Sequence, residues 1–342
     1  MPSTTGMKRS VLCSVAALLS VVACRSEQNT PPPVAEAPAA SSATKTVIKN
    51  VLLQLTETVA VHIQELRGEL SAREGQTLSF DDPRSYVVSI ASSEVSLTPD
   101  NLAKFLNDHA FAYKDAPVRK IEIEMKEGEL RMKGLLNKVV DVPFEIRGRP
   151  EVTSKGEIAL TATSIRGAGV PVKGLLGVFG GDLDALVDEK KVRGLRIVEN
   201  TIFVSIAIVP PPSINGRFSA VAVHPDRIAI SLRGDAPAVD IATPETGNYL
   251  VLQGGTSQLL KMTMHHTDLQ LVDEKPADPF RFNLHNYRPQ LVAGSVGVTT
   301  HDGLVIRLPD QGDAIHSQSP YQSRSASTAE RGPRQPGSRP AK

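Results

Sequence analysis

Aliphatic residues in this chain recur mostly at every second position, in runs separated by turn-forming dipeptides. Ile121, Ile123 and Met125 face one way, Glu122 and Glu124 face the other, and Glu127-Gly128 turns the chain into Leu130 and Met132. Period-two alternation broken by such a pair predicts a β-hairpin. The same pattern returns around Lys155-Gly156 into Ile158, Leu160 and Ala162, and around Glu199-Asn200 into a strand carrying Ile202, Val204, Ile206 and Ile208. It returns twice more. Val221 and Val223 precede Pro225-Asp226 and Ile228, Ile230 and Leu232, while Val296 and Val298 precede Asp302-Gly303 and Leu304, Ile306 and Leu308. These last two segments read as echoes of one unit.

Two segments break the alternation with helical spacing. Thr98-Pro99-Asp100 supplies an N-cap, a first-turn proline and an acid at the positive end of the helix dipole, after which Leu102, Phe105, Leu106 and His109 share a face. Residues 173–191 place Leu175, Leu176, Phe179, Leu183, Leu186 and Val187 on an apolar face but include four glycines, so Gly180-Gly181 is expected to split that helix. The expected class is therefore α+β and β-rich, with long antiparallel hairpins forming a curved sheet packed on one or two helices. Pro210-Pro211-Pro212 ends a strand and marks a boundary before a further β-rich segment.

Composition narrows the function classes. The 342 residues carry 38 Lys and Arg against 37 Asp and Glu, a balance that argues against nucleic acid as a partner. Aromatics make up 4% and Trp is absent, so stacking platforms are scarce. Two cysteines can build neither a disulfide framework nor a four-ligand zinc site.

The N-terminus reads as an address. Met7-Lys8-Arg9 is followed by an apolar run from Val11 to Ala23. That run is too short for a bilayer core of about 30 Å and fits a secretory signal. Its end, Val21-Val22-Ala23-Cys24, resembles the lipobox of bacterial lipoproteins. What the resemblance implies is a signal peptide over 1–23, acylation of Cys24 and an exported protein anchored in the cell envelope, with Arg25 favouring the outer over the inner membrane. An exported domain would then hold no free thiol in an oxidising compartment, because Cys13 leaves with the signal. Residues 24–46, rich in Pro, Ala and Ser, read as a disordered tether, and 311–342, rich in Ser, Pro and Arg, as a disordered tail.

Between them, 47–209 contains an ordered series of motifs: SEVSLTPDNLAKFLN, a long hairpin, GEIALTATSIRGAGVPVKGLLGVFG and GLRIVENTIFVSIAI. Over about 95–206 this series is similar to the tubular lipid-binding-like (TULIP-like) bacterial envelope domains, including the LmeA-like family. The resemblance implies a curved sheet around a helix and an apolar groove for acyl chains; with no catalytic motif in the sequence, the expected role is non-enzymatic. Its groove candidates are Leu102, Phe105, Leu106, Ile121, Ile123, Ile158, Leu160, Leu175, Leu176, Phe179, Ile202, Val204 and Ile206. The β-rich segment 210–310 has no counterpart in that family. Strand faces of Ile, Val, Leu and Met rather than Phe suit acyl chains and equally suit a closed core.

Rival readings are a structural or interaction module tethered to the envelope, with a protein partner, and a hydrolase with paired carboxylates. No nucleophile elbow, His-Glu-x-x-His pair or phosphate loop occurs in the sequence, and no cofactor or metal is expected. His265 and His266 would point to opposite faces of a strand. His301-Asp302, Asp81-Asp82 and the Asp182/Asp184 pair read as turn or cap residues, and His109 as a satisfied core or helix-end histidine.

Overall fold

The computed structural model describes residues 43–137, 140–171, 192–299 and 302–317. The expected helix over 173–191, with Leu175, Leu176 and Phe179, lies outside the described residues, as do Cys24 and His301. Three sheets account for most of the described chain. In the largest, nine strands follow the order β13 (Arg217–Val223), β14 (Ile228–Arg233), β4 (Tyr86–Leu97), β2 (Ala60–Ala72), β1 (Ala43–Gln54), β15 (Tyr249–Gln253), β18 (Asp268–Asp273), β21 (Leu304–Leu308), β20 (Ser295–Val298). In addition, β12 (Ser213–Asn215) pairs with β4 and β19 (Phe280–Asn283) with β1. The second sheet runs β10 (Leu195–Val198), β11 (Thr201–Val204), β8 (Ile158–Gly167), β7 (Val142–Val152), β6 (Glu129–Leu136), β5 (Val118–Lys126), with β9 (Val170–Pro171) beside β8. A small third sheet joins β3 (Leu78–Ser79), β16 (Thr256–Leu259) and β17 (Met262–His265).

Helix is sparse. α1 spans Pro99–Phe105 and runs into a π-helical turn at Leu106–Ala110, while α2 (Arg288–Ala293) and α3 (Gln311–Ser317) are short. The chain is thus β-rich with few helices, as the alternation implied. All five hairpins form at the expected dipeptides, and Gly128, Gly156, Glu199 and Asp302 take the positive φ that tight turns demand. The two echo hairpins, β13–β14 and β20–β21, occupy opposite edges of the large sheet.

Several expectations need correction. The strand after Asn200 ends at Val204, and Ile206–Ile208 is a single 3-10 turn. Val204 pairs with Leu195, the first residue of β10, so the ladder has no rung left for Ile206 and the backbone closes locally through Ile208 N to Ser205 O. The tether expected to reach residue 46 yields its last four residues to β1, where Ala43–Thr46 pair with Ser71–Gly68. Residues 311–317 of the expected tail form α3. Strands from both sides of Pro210 interleave in one sheet, since β13 and β14 add to β4 while β15 adds to β1.

Curvature comes from local breaks in the alternation. Thr46 and Ile48 point inward on β1, and after Asn50, which adopts φ 51°, Leu53 points inward instead. On β2 the inward set switches between Ile63 and Leu66, and on β4 between Ile90 and Ser93, where the β2–β4 register slips at Ile63/Glu65 and again at Arg67/Gly68. An extra residue in one strand of a pair bends that strand and increases its twist. Breaks on three neighbouring strands therefore curl the sheet around an inner face. Gly68 sits at one slip, where a Cβ would stand 2.3 Å from the Ser89 carbonyl oxygen.

The second sheet closes over that inner face. The β5–β6 turn donates from Gly128 N to Val223 O at 2.9 Å, and Phe218 N donates to Gly156 O of the β7–β8 turn at 3.1 Å. Both hairpin tips thereby occupy backbone groups of β13, the edge strand of the large sheet, which would otherwise be free to pair. On the outer side, Val239 covers Val47, Tyr249 and Val251. This explains why the run Tyr249–Leu252 is apolar throughout rather than alternating, since β15 is buried on both faces.

Candidate functional site

Between the two sheets lies an apolar cavity of about 360 Å³, within the range of ligand pockets. The large sheet supplies Ile48, Ile63, Leu66, Val95, Ile230, Leu250 and Leu252 among others, and the second sheet supplies Ile123, Met132, Phe144, Leu160, Ile197 and Val204. Among the described residues no Asp, Glu, Lys, Arg or His lines it, and the lining residues that carry hydroxyls are Thr46, Tyr86 and Ser93. Ser93 Oγ is already committed, donating to Glu65 O at 3.1 Å.

The expected groove residues fall as follows. Leu102, Phe105, Leu106, Ile123, Ile158, Leu160, Ile202, Val204 and Ile206 all line the cavity. Ile121 does not. It is 3% exposed and packs in the core of the second sheet. Lys120 takes φ 51° and the β5–β6 register shifts between Arg119 and Glu122, so alternation is broken on one side of Ile121. The lining is also richer in aromatics than expected, with Phe144 and Phe218 on strands and Phe80, Phe105 and Phe111 elsewhere.

Polar residues aim the helix at this space. Thr98 caps α1 by accepting from Asn101 N at 3.2 Å, and Asn101 Oδ1 accepts from Ala60 N at 3.1 Å, tying the first turn to β2. Asn107 in the π-helical turn donates to Ile121 O and accepts from Ile121 N, both at 2.8 Å, which fastens the other end to the bulged strand β5. Leu102, Phe105 and Leu106 are held over the cavity between these two anchors. The sequence pattern gave the helix but not Asn101 or Asn107, because an asparagine facing a distant backbone leaves no local signal.

The outer faces carry the charge. Arg131 bridges Glu124 and Glu145, and Lys133 also pairs with Glu124 across β5 and β6. These cations hold both carboxyls below the usual carboxylate range, with hydrogen bonding as the leading cause. The ladder is partly exposed, so solvent screening keeps its contribution to stability small.

A second cleft of about 480 Å³ on the opposite side of the large sheet is polar, lined by His62, Gln64, Ser96, Asp226 and Arg227 among others. His62 heads a relay there. Asn248 Nδ2 donates to the Asp273 carboxylate at 2.9 Å, so Asn248 Oδ1 is left to accept from Asn50 Nδ2, and Asn50 Oδ1 to accept from His62 Nε2. An ionised carboxylate can only accept, and this orients the whole chain and leaves the imidazole Nδ1 bare. Burial, then the charge of Arg227, push the His62 pKa down.

The remaining candidates are accounted for locally. Asp81 accepts from Tyr287 Oη, Asp82 from Arg84 N, and His109 Nε2 meets Ile208 O at 3.2 Å. His265 ends β17, and His266 leaves it at φ 55°. Asp182 and Asp184 lie outside the described residues. Among the described residues no three His, Cys, Asp or Glu side chains converge on a point that could hold a metal, and no helix is long and apolar enough to cross a membrane. No protein-family model, curated protein or solved structure matches the chain.

Proposed function

We propose that the protein is a lipid-anchored protein of the bacterial cell envelope that binds, or helps to transfer, an amphipathic lipid whose hydrocarbon occupies the cavity between the sheets. One observation carries this reading: a space of about 360 Å³ whose lining, among the described residues, bears no charged side chain. A filled interior would be close-packed, with few voids larger than one water, whereas this space is of ligand size. The curled sheet closed by α1 supports the TULIP-like packing implied by the sequence motifs. The Cys24 lipobox supports anchoring, because one acyl chain gives only marginal membrane binding and several make it stable.

The test uses the full chain with Cys24→Ser, purified and examined by native mass spectrometry. Co-purified lipid, or uptake of added lipid, is the expected result, and its reproducible absence would count against binding. In parallel, the wild-type chain should incorporate a labelled fatty acid in cells and Cys24→Ser should not.

A second reading, an interaction module, draws on the edge strand β20. Val296 and Val298 are 68% and 70% exposed there, beside Val292 at 76%. Crosslinking in membranes separates the two readings, since protein adducts without lipid adducts favour the module.

A further inference from the structure

The apolar inner face of the large sheet runs past its core at one edge. Register places Leu250, Leu271, Ile306 and Val296 in one row across β15, β18, β21 and β20, and Leu252, Leu269, Leu304 and Val298 in the next. Leu250, Leu271 and Ile306 are buried, as are Leu252 and Leu269, yet the two valines that end the rows are exposed. Backbone groups are left over at the same place. Thr299 N donates to Gly303 O at 2.7 Å, and hydrogen-bonded pairs alternate along an antiparallel ladder. Ser295 and Gly297 therefore also bond to β21, while Val296 and Val298 turn their N–H and C=O away from it. Among the described residues no strand lies on that side.

The sheet's two edges are treated differently. β13 is occupied by the tips of the β5–β6 and β7–β8 hairpins. β20, Ser-Val-Gly-Val, has no charge, proline or bulge, the devices by which native edges avoid pairing. A bilayer does not suit this edge, because hydrocarbon would leave its N–H and C=O groups unsatisfied. A β-strand satisfies them. Copies of the chain are the neighbours that an unprotected edge always meets, and this strand is complementary to itself. In the antiparallel register that uses every outward group of Val296 and Val298, Gly297 faces Gly297 of the second copy on a twofold axis. Val296 then faces Val298 of the second copy, and the valines of both copies gather on one face.

We propose that the chain forms a twofold dimer in which β20 pairs with β20 of a second copy, joining two large sheets into one. The occupied β13 edge stops addition at two copies. So short a strand buries less than the roughly 800 Å² per partner of a standard interface, so the dimer is weak and concentration-dependent. The inference rests on the edge strand of the second reading, names its partner, and holds whether or not the cavity takes a lipid.

Sedimentation of the full Cys24→Ser chain at increasing concentration should show a monomer–dimer equilibrium. Val298→Pro keeps the bonds to β21, because the Val298 N–H faces outward, but removes half of the hydrogen bonds across the axis and should weaken the dimer about tenfold or more. Val296→Lys puts a cation on the edge and should weaken it comparably. Both variants should unfold in urea at the midpoint of the parent monomer. Gly297→Cys, in a chain also carrying Cys13→Ser and Cys24→Ser, lies on the axis, where facing Cα atoms about 4.5 Å apart are within disulfide reach, and should crosslink on oxidation. Its Cβ would stand 3.2 Å from Val305 Cγ1, which a slight shift accommodates. Ser295→Cys, on the same face but away from the axis, should not crosslink. A dimer indifferent to both Val298→Pro and Val296→Lys, or equal crosslinking of Gly297→Cys and Ser295→Cys, would overturn the proposal. A monomer that crosslinks to another protein through β20 overturns the dimer and leaves the interaction module standing; a monomer without protein adducts overturns both.

Discussion

Replacing Val95 with Phe adds about four carbons to a side chain that lines the cavity beside Ile63 and Ile230, its partners on β2 and β14. At about 0.8 kcal/mol per buried carbon, full burial would contribute about 3 kcal/mol. Val95 is only partly buried, so about half of that, roughly 1.5 kcal/mol, is the expected gain. A closed core would respond with the opposite sign, because forcing carbons into packed space costs about 1–3 kcal/mol. The sign of the change therefore separates a cavity from a filled interior without any ligand. In urea unfolding of the Cys24→Ser chain, Val95→Phe should raise the midpoint by about 0.5 M at unchanged slope, and uptake of an alkyl probe should fall. A lowered midpoint with uptake intact would refute the cavity as the binding space.

Two further outcomes follow from polar groups outside the cavity. The His62 pKa is depressed in the folded state, so the unfolded chain takes up its proton first as pH falls. The stabilising effect is full above the unfolded pKa of about 6.5 and is lost as pH drops toward the folded value. Denaturation at pH 7.5, 6.5 and 5.5 should show the parent losing stability relative to His62→Gln, whereas a pH-independent difference would exclude His62, which shares its cleft with Asp226 and Arg227. Gln290, 1% exposed, accepts from Asn283 N and donates to Arg281 O and Pro309 O, tying together β19, α2 and the end of β21. Gln290→Leu leaves three backbone groups without partners and should cost about 3 kcal/mol or more by urea unfolding; a loss below about 1 kcal/mol would mean water replaces the bridge.

Local features of the sequence determined the hairpins, because a turn dipeptide and the alternation on either side of it lie within a few residues of each other. They also determined the capped helix at Thr98 and the fact that Leu102, Phe105 and Leu106 share a face. The second-sheet wall was legible for the same reason, since Ile123, Ile158, Leu160, Ile202 and Val204 all belong to such hairpins. The opposite wall was not. Ile48, Ile63, Leu66 and Leu70 lie on strands whose inward face changes partway, so no single period connects them. Leu250 and Leu252 lie in a run buried on both sides, where alternation vanishes. Ile121 keeps step with Ile123 along β5 but is packed in the core of the second sheet, where Asn107 of the π-helical turn grips its backbone, and that burial depends on a tertiary contact rather than on the alternation. Whether aliphatic faces meet and fill, or are held apart around an open space, depends on how far two sheets curl and where hairpin tips dock. Those are relations between residues distant in the chain, such as Gly128 with Val223 and Gly156 with Phe218, and only the tertiary structure decided them.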